Sequence, residues 1–192
     1  MSHSFRRSLL LSAFCLVAGF SAAGAQAVQG PMAPPPAVDF EKDKAGQRNK
    51  IDFSLPIKPV SNSSLKFSQF KGKKMLIFYF SAQCPHCQHA APHVQRLADE
   101  LAGQGFGAVS IAITYNSDED IRGFIRDFGV RMPVMQDDKD RSFGENYGTR
   151  TIPVLYLVNE KGEYYRWKSF DDAVTPGQMR AAAAKWAPAK KK

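Results

Sequence analysis

Two cysteines three positions apart occupy the middle of the chain, in the sequence Cys84-Pro85-His86-Cys87. Cysteines at this spacing can close a disulfide between their side chains, so the pair predicts thiol–disulfide chemistry. If a helix begins here, its free backbone amides and the neighbouring His86 stabilise a thiolate at Cys84. Pro85 is favoured in the first helical turn, where its missing N–H costs nothing. We therefore predict a catalytic role for each of the four residues.

Metal binding is the alternative chemistry for this segment. His86, His89 and His93 fall within ten residues, close to one helical face and beside the two thiols. Cysteine and histidine together suit copper(I) or zinc, so a metal-binding module or metallochaperone using Cys84, Cys87 and the three histidines is possible. A structural zinc site would need a second pair of ligands, and the sequence has no second Cys-x-x-Cys. An outward polar helix face explains the histidines more simply, and we predict no metal ligand and no cofactor.

The N-terminus has the pattern of an export signal. Arg6 and Arg7 precede an apolar run from Leu9 to Phe20, and small residues follow up to Ala25-Gln26-Ala27, a cleavage pattern. The run is shorter than the roughly 20 residues that span a bilayer. We predict a signal peptide at residues 1–27 and a periplasmic location. An uncleaved anchor is the alternative, and the choice between general and twin-arginine export is left open.

Composition and charge narrow the function further. The chain carries a net charge of +8 and three cysteines, too few for a disulfide scaffold. Cys15 lies in the predicted signal, so the mature chain keeps only Cys84 and Cys87. Several basic residues lie at the extreme C-terminus, and a basic groove with interleaved aromatics is missing. We therefore expect no nucleic-acid partner.

The rest of the chain divides into a linker, one domain and a tail. Residues 28–50 are rich in proline and then in mixed charges, which predicts a flexible linker. From Ile51 onward, strand and helix patterns alternate, and we place the domain at residues 51–188, followed by a basic tail at 189–192.

The element patterns predict an α/β domain with a mixed sheet flanked by helices. Met75–Phe80 is wholly apolar, as in a central strand buried on both faces. Helical spacing of apolar residues follows from Ala90 to Leu101. The remaining predicted elements are a leading β-hairpin of Ile51–Leu55 and Leu65–Phe70, a strand Ala108–Thr114, a helix Asp118–Phe128, a hairpin of Val154–Val158 and Tyr164–Trp167, and a final helix that opens at Thr175.

These motifs, in this order, resemble the thioredoxin superfamily from Ile51 to about Trp186. The resemblance is carried by the apolar strand, the Cys-x-x-Cys pair, Pro92 eight residues after Cys84, and the segment Tyr147–Leu155 (YGTRTIPVL). The segment Phe70-Lys71-Gly72-Lys73 is similar to the TlpA/ResA-like branch, whereas the Pro-His dipeptide is that of DsbA-type proteins.

The resemblance implies a thioredoxin-like fold and a set of roles. Cys84 would be the nucleophile and Cys87 the resolving thiol. Pro153 would follow a cis bond and, with Ile152, bind an extended substrate segment beside the sulfurs. The partners implied are proteins that carry thiols or disulfides, together with a membrane redox partner.

Three departures from the family pattern bear on the direction of electron flow. No tryptophan precedes Cys84; Phe78 occupies the position of thioredoxin's buried carboxylate; and Ala90 occupies a position where the TlpA/ResA-like branch often has glutamate. Phe78 and Ala90 cannot act as a base for Cys87, so we expect an oxidant or isomerase rather than a reductant. Ser81-x-x-Cys84 also resembles the peroxiredoxin motif, but Ile77 stands where that motif has proline.

Overall fold

The computed structural model describes residues 39–148 and 150–186. The predicted signal peptide, the first part of the predicted linker and the basic tail lie outside the described residues. Within them, no helix is both long and apolar enough to cross a bilayer. Six strands form one sheet. They are β1 (Lys58–Pro59), β2 (Lys74–Phe80), β3 (Phe106–Ala112), β4 (Val134–Gln136), β5 (Val154–Val158) and β6 (Tyr164–Trp167).

The sheet is mixed, with the strand order β1-β4-β3-β2-β5-β6. Strands β2, β3 and β4 run parallel, whereas β5 pairs antiparallel with β2, and β6 antiparallel with β5. Four helices connect or flank the strands. They are α1 (Pro85–Ala102), α2 (Asp118–Asp127), α3 (Ser142–Tyr147) and α4 (Thr175–Ala184). The architecture is the predicted thioredoxin-like α/β fold.

Strand β2 separates two hydrophobic clusters. Its seven residues are all buried, and successive side chains point to opposite faces of the sheet. Leu76, Phe78 and Phe80 join the cluster under α1 and α4, while Ile77 and Tyr79 join the cluster on the other face. Because both faces are covered, a continuous apolar run is the sequence that this position requires.

The predicted leading β-hairpin is wrong. Residues 51–55 form turns and bends, and Phe67–Phe70 is a single 3₁₀ turn. The edge strand β1 instead pairs with β4, which sequence reasoning did not predict. Aromatic packing explains the difference, because Phe53, Phe67 and Phe70 are all buried in one cluster rather than alternating between core and solvent. The Phe53 and Phe67 rings lie 5.1 Å apart.

The described residues of the predicted linker pack against the sheet. The Glu41 amide donates to the Tyr164 carbonyl (3.0 Å), and the Arg166 guanidinium pairs with the Glu41 carboxylate (2.8 Å). The Phe40 ring stacks on the Tyr165 ring, with 4.3 Å between the ring centroids. The Arg48 guanidinium lies over the Phe40 ring, 4.3 Å from its centroid. Residues from Phe40 onward therefore cover the outer edge of the sheet at β6.

This packing predicts that Phe40 contributes to stability. Replacing Phe40 with alanine should lower the free energy of unfolding by roughly 1–2 kcal/mol, less than the ~3–5 kcal/mol of a fully buried phenylalanine. Urea denaturation measures the change. Tyr115, which is 75% exposed, provides the control, since Tyr115→Ala should change stability by less than about 0.5 kcal/mol. Equal effects of the two substitutions would mean that residues 40–50 do not belong to the folded unit.

Candidate active site

The Cys-x-x-Cys segment lies where β2 meets α1. After Phe80, the chain leaves the sheet through residues 81–83, and Cys84 occupies the N-cap of α1 with Pro85 in the first turn. Cys84 has an extended backbone (φ −85°, ψ 118°), the conformation that a following proline favours. The Cys84 carbonyl accepts from the Gln88 amide at 3.0 Å, which closes the first turn of the helix. The Cys84 side chain thereby starts beside the free amides of a helix N-terminus.

The two thiols differ sharply in environment. Both are free; Cys84 is partly exposed, whereas Cys87 is 0% exposed and packs in the cluster beneath α1. Burial raises the pKa of the Cys87 thiol well above its ordinary value; a backbone hydrogen bond at Ser81 acts in the opposite direction, and the neighbouring Cys84 sulfur raises the pKa further. One sulfur is therefore open to a substrate, and the other is held protonated behind it.

Residues 81–83 are held by an amide network that the sequence did not reveal. Asn116 is 6% exposed; its side chain accepts from the Ala82 amide (3.0 Å) and donates to the Ser81 hydroxyl (3.2 Å). From the other side, the Gln88 side chain donates to the Ala82 carbonyl (2.9 Å). The only sequence signal for Asn116 was its place in the turn after a buried strand, which is ordinary for asparagine.

Ile152 and Pro153 lie beside the same end of β2. Tyr79 pairs with Val154 across β2 and β5, so the preceding residues reach the point where the chain turns toward Cys84. The Ile152–Pro153 bond is cis, as the resemblance implies. Together with His86 and residues 168–170, these two residues line a groove of about 210 Å³. The structure therefore places His86, Ile152 and Pro153 in one groove that begins next to the redox pair.

The histidines do not gather around the thiols. His86 is exposed and lines the groove, whereas His89 and His93 contact Asp172 on the loop before α4. Among residues 39–148 and 150–186, His89, His93 and Asp172 form the one group whose ligand atoms are close enough for a shared metal. A centre built from Cys84, Cys87 and the histidines is therefore not favoured, because Cys87 is sealed in the core.

The two positions at which the resemblance implies a base for Cys87 hold apolar side chains. Phe78 and Ala90 are both 0% exposed and pack in the same cluster as Cys87. The Phe78 ring stacks against Phe80 at 5.3 Å, so this side of Cys87 is lined by hydrocarbon. The backbone hydrogen bond at Ser81 favours the thiolate form of Cys87, but the cost of burial outweighs it.

Comparison with known proteins matches this architecture. The family model Redoxin matches residues 44–165. The thiol-disulfide oxidoreductase ResA of Halalkalibacterium halodurans is 28% identical over 121 residues, which cover 62% of this chain and 65% of that protein, just under two thirds of its length.

Solved structures share the fold. A thiol-disulfide isomerase from Corynebacterium glutamicum superposes with a TM-score of 0.60 at 18% identity, over 74% of this chain and 98% of that one. A secreted Mycobacterium tuberculosis disulfide oxidoreductase, homologous to E. coli DsbE, gives a TM-score of 0.57 at 16% identity, over 67% and 93% of the two chains. On the family match and the shared architecture, the chain belongs to the Redoxin family, in the TlpA/ResA-like part of the thioredoxin superfamily.

Proposed function

We propose that this chain is an exported protein thiol–disulfide oxidoreductase in which Cys84 exchanges disulfides with substrates and Cys87 closes the internal bond. The observation that carries the proposal is the pairing of a partly exposed Cys84 at the start of α1 with a fully buried Cys87 in the first turn of the same helix. An incoming substrate can reach only the first sulfur. The ResA relative carries the same activity in its name.

The oxidising reaction passes through a mixed disulfide. A substrate thiolate attacks the Cys84 sulfur of the Cys84–Cys87 disulfide, and the bond between the two cysteines breaks. Cys87 leaves with the electron pair and takes up a proton, which its raised pKa favours. A second substrate thiolate then attacks the substrate sulfur of the mixed disulfide and releases Cys84. The substrate gains a disulfide, and the enzyme pair becomes reduced by two electrons.

The groove beside the pair suits an extended protein segment. Ile152, Pro153 and Phe170 give its lining an apolar surface. His86, which lies between the two cysteines in the sequence, and Lys168 add polar groups, of which Lys168 is basic. Such a surface binds varied unfolded segments, with backbone hydrogen bonds at Ile152 giving affinity without strong sequence preference.

We further propose that oxidation or isomerisation is favoured over reduction. A reductant must deprotonate its second thiol to release the mixed disulfide, and Cys87 is buried among apolar side chains that include Phe78 and Ala90. His86 lies between the two cysteines in the sequence, where its imidazole, whenever it is protonated, would stabilise a thiolate at Cys84 and hence the reduced form. Stabilising the reduced form makes the disulfide a better oxidant.

We propose that the predicted signal at residues 1–27 directs the enzyme to the periplasm, where disulfides persist. The fold neighbour from Mycobacterium tuberculosis is a secreted protein, which agrees with that compartment. A membrane redox partner would renew the Cys84–Cys87 pair after each turnover, because exported chains have no access to cytosolic thiols.

The first prediction separates thiol exchange from a function based on the histidines. Cys84→Ser should abolish both insulin-disulfide reduction and oxidative refolding of a reduced client, because Cys84 is the one thiol with exposed surface among residues 39–148 and 150–186. The His89→Ala/His93→Ala double variant, assayed with a chelator present, should keep nearly full activity. Wild-type protein without exchange activity, or a double variant as inactive as Cys84→Ser, would refute the proposal.

The second prediction concerns His86 and the reduction potential. We expect a wild-type potential above about −200 mV, the oxidising side of the glutaredoxin range. His86→Gly should make the potential more negative by roughly 30 mV, which corresponds to about tenfold weaker stabilisation of the thiolate. The exposure of His86 limits the effect through solvent screening. His86→Gln, which keeps helix propensity, should shift the potential in the same direction; an unchanged potential in both variants would contradict the role.

The third prediction tests the missing base. In the wild type, the rate at which Cys87 resolves a Cys84 mixed disulfide should rise about tenfold per pH unit between about pH 6 and pH 9, because the raised pKa keeps the Cys87 thiolate a minor form throughout. Ala90→Glu should raise this rate near neutral pH and flatten its pH dependence. Ala90→Gln fills the same space without a base and should do neither. Equal rates in the two variants would rule out deprotonation of Cys87 as the limiting step.

A further inference from the structure

A second cluster of side chains, all of them potential metal ligands, lies one to two turns along α1 from the redox pair. His89 and His93 are one helical turn apart on the same face, and Asp172 approaches them from the loop before α4. The His89 Nε2 atom is 2.8 Å from Asp172 Oδ2, and the His93 Nε2 atom is 3.8 Å from the same oxygen. One ligand atom from each residue lies within 4.8 Å of the other two.

These spacings fit a shared metal ion. Zinc binds imidazole nitrogen and carboxylate oxygen at about 2.0–2.2 Å, which places neighbouring ligand atoms of a tetrahedron about 3.3 Å apart. The two spacings to Asp172 Oδ2 lie on either side of that value, and the third spacing, between the two imidazole nitrogens, is at most 4.8 Å, so the ligands would have to close by up to about 1.5 Å around an ion. Such shifts are available, since the His89 and Asp172 side chains are 61% and 44% exposed. His93 is the most enclosed of the three and provides the fixed ligand.

We propose that His89, His93 and Asp172 bind a divalent transition-metal ion of the zinc class, with water completing the coordination. Two imidazoles and one carboxylate are a donor set that zinc uses when it keeps one open position. This site is independent of the thiols, because Cys87 is fully buried and neither cysteine belongs to the cluster. It is an accessory site on the enzyme and does not turn the redox pair into a metal carrier.

One neighbour opposes metal binding and makes the geometry testable. An Arg96 guanidinium nitrogen lies 3.0 Å from His93 Nδ1, and it can only donate there. An imidazole that binds a metal through Nε2 keeps its proton on Nδ1, so Arg96 must turn away when the ion enters. Arg96 is exposed and can do so, but its positive charge also disfavours a second cation nearby. Removing Arg96 should therefore strengthen metal binding.

The position of the site connects it to the substrate groove. Asp172 follows residues 168–170, which line one side of the groove, and the His93 ring lies 5.6 Å from the Phe170 ring. An ion held by His89, His93 and Asp172 would fasten this loop to α1, the helix that carries the redox pair. The metal would thus restrain one wall of the groove without touching either sulfur.

The decisive experiment is a zinc titration of the full chain with Cys15, Cys84 and Cys87 all replaced by serine, so that no thiol can bind the ion. Isothermal titration calorimetry should show one Zn²⁺ per chain. His89→Ala, His93→Ala and Asp172→Asn should each weaken binding by at least about tenfold. Arg96→Gln should tighten it. His86→Ala is the matched control: it removes a histidine from the same helix but outside the cluster, and binding should be unchanged.

A second measurement covers the case in which the thiol-free chain folds poorly. Co²⁺ added to the wild-type chain should give the visible bands of a tetrahedral ion without a thiolate charge-transfer band in the near ultraviolet, and His89→Ala should remove them. A thiolate band, zinc affinity that survives all three ligand substitutions, or equal losses in His86→Ala would overturn the proposal. So would an absence of binding in the folded wild-type chain, which would leave the cluster as ion pairs only.

Discussion

The burial of strand β2 on both faces is the constraint on which the site depends. All seven of its residues are buried, and the strand pairs with β3 on one side and β5 on the other. The chain leaves the sheet where this strand ends, after Phe80. The turn held by Asn116 then delivers Cys84 to the start of α1. Substitutions that loosen the strand would therefore move the sulfurs before they affected any surface contact.

The contrast between the two thiols follows from the same packing. The face of α1 that covers β2 must be apolar, and Cys87 lies on that face, whereas Cys84 precedes the first turn and stays at the rim. A single helix start thus creates one reactive and one protected sulfur from two chemically identical side chains. The apolar side chains in the cluster around Cys87, which include Phe78 and Ala90, disfavour its thiolate form.

Much of the architecture could be predicted from local patterns. Each of three signals lies within one short continuous segment: the apolar run of β2, the helical spacing of α1, and the turn between β5 and β6. The elements that were missed are short or depend on distant partners. Strands β1 and β4 are two and three residues long, which leaves no periodicity to detect. The packing of Phe40 on Tyr165 joins residues far apart in the sequence.

The site shows the same division between local and distant information. The Cys-x-x-Cys pair and the Ile152–Pro153 bond lie in motifs, and the resemblance implied that Ile152 and Pro153 lie beside the sulfurs. Asp172 could not be linked to His89 from sequence, because the two residues are 83 positions apart and meet only in the folded chain. The placement of both cysteines at one helix start has a further consequence for oxidative damage. A sulfenic acid formed at Cys84 can condense with the neighbouring Cys87 thiol to a disulfide with loss of water, which is a reversible product rather than an irreversible one.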